Sequence, residues 1–374
     1  MIEKKYENRL AALGLSEEEI EERISSCWKA MFYGSAQTRI YAPVEPGMGH
    51  VIDTGNDDAR TEGMSYGMMM AVQMDDKDLF DRIWRWAFKY MYQREGEFKG
   101  YFAWSANLDG SLRAKGPAPD GEEYFALALF FAAHRWGDGH EPLDYSTMAR
   151  RILRDCLHKG SNGEAGAPMW NADNAQILFV PGCPFTDPSY HLPHFYELFA
   201  LWAEVEDRPF WKRAAEASRL YLPTACHPVT GLAPEYAEFD GKPYKASWDY
   251  GHHKFYSDSY RVAANIGLSA AWSGRDPGLS AIADRIIRFF DDKAVGSLRM
   301  YELDGRPCEE PALHPTGLVA TNAMAALALD LGGAADRAVR RFWETPLREG
   351  VRRYYDNCLY FFALLALSGR YRIF

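Results

Sequence analysis

Three carboxylates in this 374-residue chain stand in settings that change what a carboxyl group can do. Glu62 lies in Arg60-Thr61-Glu62-Gly63-Met64-Ser65-Tyr66-Gly67-Met68, an acid set against an apolar, glycine-containing turn. Apolar surroundings raise a carboxyl pKa toward that of a general acid, although an acid complementing a helix dipole would look the same. Asp120 follows Ala118-Pro119 and reads equally well as a helix N-cap. Asp258 and Arg261, in Ser257-Asp258-Ser259-Tyr260-Arg261, are three apart and so share one helical face, where a surface ion pair is the plain alternative. Tyr190, after Pro188-Ser189, offers either a phenol to hold a water or a packed ring. Two carboxyls on different elements across a cleft suit hydrolysis of a glycosidic bond, because the transition state is cationic and the leaving oxygen needs a proton. That chemistry needs no metal and no cofactor. His252-His253 and His191…His194 lack the spacing of a zinc site with a catalytic Glu.

The elements that must position these residues are helices of two alternating kinds. Segments near 17–31, 77–92, 144–157, 208–221, 278–291 and 335–344 carry an apolar stripe against a charged face, as in Asp81-Arg82-Ile83-Trp84-Arg85-Trp86. Between them, segments near 62–74, 120–136, 188–204, 257–272, 316–331 and 354–367 are apolar or small on nearly every side and must be buried all round. Six outer and six inner helices in alternation form six hairpins, and closing them into a ring, an all-α (α/α)6 barrel, buries every inner helix. Inner-to-outer links are short, whereas the outer-to-inner links (32–61, 93–119, 158–187, 222–256, 292–315) are long, so every long loop falls on one face. Loops of that length in a compact domain are usually functional, and the three carboxylates sit where they meet the inner helices.

Composition narrows the class. Hydrophobic residues make up 47% and charged residues 25%, and no polar linker divides the chain, so residues 1–374 read as one globular domain. A net charge of −10 without a basic run argues against nucleic acid as a partner. Six cysteines without a CxxC pair argue against a zinc ribbon or disulfide framework. No apolar run is long enough to span a bilayer, and Met1-Ile2-Glu3-Lys4-Lys5-Tyr6-Glu7 does not resemble a secretory leader, so a cytoplasmic location is expected. Aromatic residues reach 14%, in excess of ordinary core filling, and the flat C–H faces of sugars stack on such rings. Trp104, Trp170 and Trp248 lie in the long loops and are the candidate platforms.

In order along the chain, Thr61-Glu62-Gly63-Met64-Ser65-Tyr66-Gly67-Met68, Ala118-Pro119-Asp120-Gly121, Asp187-Pro188-Ser189-Tyr190 and Ser257-Asp258-Ser259-Tyr260-Arg261 resemble glycoside hydrolase family eight. The resemblance spans almost the whole chain and implies an (α/α)6 barrel that cleaves β-1,4-linked glycans with inversion. It makes Glu62 the proton donor and Asp258 the base that activates water, Asp120 a sugar-binding residue at the cleavage point, and Tyr190 and Arg261 the residues that position water and base. The loop Glu310-Pro311-Ala312-Leu313-His314-Pro315-Thr316-Gly317 is similar to that of the reducing-end xylose-releasing members of the family. In them a Leu-His-Pro kink blocks the groove beyond the first leaving-group sugar, which would give His314 the recognition of a reducing-end xylose in β-1,4-xylooligosaccharides. Arg60 would stand near that loop or tune Glu62. An endo-acting glycanase of the same family is the alternative. Two other classes use the same features differently. A sugar epimerase or isomerase would employ His191, His194, His252 and His253, and a non-catalytic oligosaccharide-binding protein would need the aromatic residues but not the carboxylates. The oligomeric state has no sequence signal.

Overall fold

A computed structural model describes residues 6–374, so the first five residues, on which the reading of the N-terminus partly rests, lie outside the described residues. The helices among them are α1 (Arg9–Ala12), α2 (Glu17–Trp28), α3 (Thr61–Gln73), α4 (Lys77–Tyr90), α5 (Pro119–Trp136), α6 (Tyr145–His158) and α7 (Pro193–Trp202). They continue as α8 (Arg208–Ala225), α9 (Arg261–Ser273), α10 (Pro277–Phe290), α11 (Pro315–Ala325), α12 (Gly333–Glu344) and α13 (Arg353–Leu367). Neighbouring inner helices α3, α5, α7, α9, α11 and α13 pack in that order and α13 returns to α3, while α2, α4, α6, α8, α10 and α12 lie outside: an (α/α)6 barrel. No described helix is long and apolar enough to cross a membrane.

The two helix kinds follow from their side chains. In α4, Asp76 caps the start by accepting the Leu79 N–H at 3.1 Å, and Phe80, Ile83, Trp84 and Ala87 form the buried stripe. In α5, every residue from Pro119 to Ala132 is buried, as the apolar run from Tyr124 onward requires, and the burial includes the acids Asp120, Glu122 and Glu123 in its first turns. One continuous buried cluster runs from Leu10 to Tyr371 and draws on all thirteen helices.

The inner helices begin and end differently from the periodicity at three places. The segment expected over 188–204 becomes a 3-10 turn, Pro188–Tyr190, followed by α7, because Pro193 lacks an N–H and disfavours helix in the residue before it. The segment expected from 257 opens with a 3-10 turn, Ser257–Tyr260, before α9. The fifth inner helix tightens into a 3-10 turn at Ala326–Ala328 and stops short of 331.

The long loops carry the few strands. Tyr41–Val44 pairs antiparallel with Met48–Val51, and Arg299–Tyr301 with Pro307–Pro311. A three-stranded sheet of Ala59–Arg60, Ser105–Ala106 and Leu112–Ala114 sets Arg60 opposite Ser105, directly before α3. Phe255 bridges to Tyr301, which ties the chain before α9 to the hairpin.

Small residues let the inner helices approach closely. A Cβ on Gly267 of α9 would sit 2.0 Å from the Met324 carbonyl oxygen of α11, and backbone cannot yield as a flexible side chain can. Gly267→Ala should therefore lower stability by about 1–3 kcal/mol or more, the usual range for overpacking, read as a lower urea midpoint by tryptophan fluorescence.

Candidate active site

Barrel closure brings the three carboxylates to one cation. Arg261, in the first turn of α9, is buried, and its Nη1 donates to Asp120 Oδ2 at 2.7 Å and to the Tyr66 hydroxyl at 2.8 Å. The same Nη1 lies 3.6 Å from Glu62 Oε1, and Nη2 lies 3.6 Å from Asp258 Oδ2. Glu62 and Asp258 thus meet different nitrogens of one guanidinium. The Tyr190 ring lies against that guanidinium, 5.4 Å from its carbon, and stacks on Phe179. The surface ion pair open to Asp258 and Arg261 in the sequence is corrected here: they do form a pair, but around a buried cation that also holds Asp120. A charge removed from water costs several kcal/mol unless it is paired, which is why the cluster must assemble as a unit.

One guanidinium cannot neutralise three carboxyls. Burial, then the negative charges of Asp120 and Asp258, push the Glu62 pKa well above the ordinary carboxyl range, while Arg261 and Arg60 oppose the shift. Asp120 is fully buried and also raised by burial, but its direct bond to Arg261 opposes that shift. Its neighbours Glu122 and Glu123 are buried too, and serve packing: Glu122 accepts the Phe102 N–H at 3.0 Å and Glu123 accepts the Tyr196 hydroxyl.

Asp258 is aimed by the turn that carries it. Ser257 has φ of +31°, a conformation unfavourable for a residue with a Cβ. The following Asp258 N–H donates to Glu235 Oε1 at 2.8 Å, and the Tyr355 hydroxyl donates to Asp258 Oδ1 at 2.9 Å. Glu235 is buried beside His252, and burial pushes its pKa up to about 7. Sequence reasoning missed Tyr354, Tyr355 and Asp356, because they sit in an inner helix whose pattern is satisfied by packing alone, and Glu235, because it sits in an irregular loop without a pattern.

Glu62 and Asp258 line a cavity of about 140 Å³ together with Arg60, Asp53, Asn56, Arg352, Tyr354, Tyr355, Leu313 and His314. Leu313 and His314 therefore face the same space as the two carboxyls. Arg60 is held by Asp53 and Asp58, each at 3.1 Å, and its guanidinium lies 5.0 Å over the Trp104 ring. Trp170 requires a correction: it is 2% exposed and packed edge-on against Trp211 and Tyr196, so it is a core residue and no platform for a ligand. Trp248 is 51% exposed beside Phe185, outside the cavity lining.

The histidines of the epimerase reading are placed for other tasks. His191 is buried between Thr186 Oγ1 at 3.0 Å and Ser218 Oγ at 2.9 Å, and burial pushes its pKa down to about 3. His194 is likewise pushed down to about 3 by burial, and His252 and His253 pair with Glu235 and Asp249. Among the described residues no cluster of His, Cys, Asp or Glu is arranged to hold a metal ion.

A barrel of six helical hairpins with two carboxyls held apart on a buried arginine is the framework of a glycoside hydrolase. The family model of glycosyl hydrolases family 8 matches residues 45–369, and the chain belongs to that family. It is 58% identical over 369 residues to the reducing-end xylose-releasing exo-oligoxylanase Rex8A of Paenibacillus barcinonensis, covering 99% of this chain and 97% of that protein. It is also 58% identical over 371 residues to a reducing end xylose-releasing exo-oligoxylanase of Halalkalibacterium halodurans, covering 99% and 95% of the two chains. The structure of Rex8A complexed with xylose superposes with a TM-score of 0.97, at 58% identity, over 99% of this chain and 97% of that one.

The carboxyl cluster makes a measurable prediction. Glu62 should titrate above the ordinary value of about 4.3, and Asp120→Asn should lower its midpoint, because removing one negative neighbour favours the ionised form and leaves Arg261 freer to meet Glu62. Carbon-detected NMR titration of the Glu62 carboxyl reads both values.

Proposed function

We propose that this family 8 enzyme releases xylose from the reducing end of β-1,4-xylooligosaccharides, the whole chain acting as one catalytic domain. The observation that carries this reading is a single cavity in which Glu62 and Asp258 share walls with Leu313 and His314. The chain's extensive identity to exo-oligoxylanases supports the substrate class.

In this mechanism Glu62 donates its proton to the glycosidic oxygen. Its raised pKa keeps that proton bound at pH values where an ordinary carboxyl has lost it. Asp258, ionised, takes a proton from a water on the other side of the sugar ring, so the new reducing end forms as the α anomer. Tyr355 fixes one oxygen of the base, and Arg261 lies close to the other. Inverting carboxyl pairs stand roughly 6.5–9.5 Å apart to leave room for that water, and contact with separate nitrogens of Arg261 is compatible with such a gap. Asp120 holds a sugar hydroxyl at the cleavage point, Tyr190 and Arg261 position the water and the base, Trp104 supplies a stacking face and Arg60 borders the leaving-group side. His314 receives the terminal xylose, and Leu313-His314-Pro315 prevents a longer product from occupying that end. Action on imported oligosaccharides in the cytoplasm completes this reading.

Xylohexaose labelled at its reducing end tests the reading. Labelled xylose should be the first product, and a non-reducing-end xylose or a mixture of internal fragments would refute it. Glu62→Gln and Asp258→Asn should each reduce turnover by at least about 10² to 10⁴-fold, the usual worth of general acid–base catalysis, with binding of xylotriose retained by calorimetry. Near-normal turnover in Asp258→Asn would move the base assignment elsewhere.

A further inference from the structure

The loop that borders the cavity is held by groups outside it. Asp356, in the first turn of α13, has no solvent exposure and gathers three donors from distant points of the chain. Its Oδ1 accepts the Gly317 N–H at 2.8 Å, and its Oδ2 lies 2.5 Å from Arg348 Nη1 and 2.9 Å from His314 Nδ1. Arg348 Nη1 also donates to the Leu313 carbonyl at 2.7 Å. The Asn357 side chain fixes Arg348 in turn, accepting its backbone N–H at 2.8 Å and donating to its carbonyl at 2.9 Å. Leu313, His314 and Gly317 are therefore tied to one carboxylate–guanidinium pair, through a carbonyl, an imidazole and an amide.

This pair also fixes the imidazole's chemistry. An ionised carboxylate only accepts, so the hydrogen of a neutral His314 sits on Nδ1 and Nε2 is left as an acceptor for a sugar hydroxyl. The His314 ring packs on Tyr355 at 4.8 Å, and the Tyr355 hydroxyl is the one that donates to Asp258.

We propose that Asp356 and Arg348 are specificity-positioning residues: they hold the 313–317 loop and the His314 tautomer so that one sugar fits beyond the cleaved bond. This rests on the reading of that loop as the boundary of the leaving-group side. Loosening the pair should alter which product leaves, a readout that a general loss of stability would not move.

The test compares the intact wild-type enzyme with Arg348→Ala, Arg348→Lys and Asp356→Asn on xylohexaose labelled at the reducing end, with melting temperature measured for each. In Arg348→Ala the share of labelled xylobiose should rise at least about tenfold, the consequence of unmaking the bonds to both the Leu313 carbonyl and Asp356, and Arg348→Lys should restore most of the wild-type pattern because an ammonium still reaches one acceptor. Asp356→Asn should raise KM for xylotriose about tenfold with a smaller change in kcat, since the amide releases the imidazole from its fixed tautomer. Variants that lose melting temperature and turnover yet still release only labelled xylose would overturn the proposal. If Asp356→Asn does not fold, the two Arg348 variants decide it, their site being partly exposed. A wild-type enzyme that does not release reducing-end xylose would instead overturn the reading of the loop, whatever the variants do.

Discussion

A guanidinium withdrawn from water is the constraint on which the site depends. Arg261 is stable in the barrel only with anionic partners, and they come from three inner helices or their leading turns: Asp120 from α5, Glu62 from α3 and Asp258 from the turn before α9. The ring has to close for these groups to meet. Once they do, Asp120 takes the short bond to Arg261, and burial together with the negative charges of Asp120 and Asp258 makes Glu62 hold its proton more tightly. The same cation therefore supports the fold and gathers the three carboxyls at one point.

The end of the chain completes what that cluster begins. At the start of α13, Tyr354 packs on Glu62's own helix, where a Cβ on Gly63 would lie 2.6 Å from its hydroxyl. Tyr355 reaches Asp258 and Asp356 reaches His314. Three consecutive residues on the last inner helix thereby contact the helix of the acid, the turn of the second carboxyl and the bordering loop. A helix can do this because successive side chains leave it about 100° apart and point to different neighbours. Closure of the ring between α13 and α3 is thus also closure of the site.

The polar groups that sequence reasoning found and those it missed differ in kind. Glu62, Asp120, Asp258 and Arg261 were legible because each interrupts a small or apolar run at the predicted start of an inner helix, on the face where the long loops gather. Glu235 was not, since it lies in an irregular loop, and its bond to the Asp258 amide has no trace in spacing. Trp170 shows the opposite error: its loop placement pointed to a surface platform, but the 170 segment folds back under Trp211 and Tyr196, where an indole fills volume.

Periodicity by itself determined the alternation of outer and inner helices, because burial on one stripe or on all sides is written in which residues recur every three or four positions. It also determined that the long loops and three carboxylates share one face. Only the tertiary structure decided which carboxyl bonds Arg261 directly, how Ser257 turns Asp258 toward Tyr355, and that Asp356 joins His314 to Arg348 across 42 and 8 residues of sequence. Those outcomes depend on distances and desolvation among groups far apart in the chain, and electrostatic energy follows separation in space and local dielectric, neither of which a linear pattern specifies.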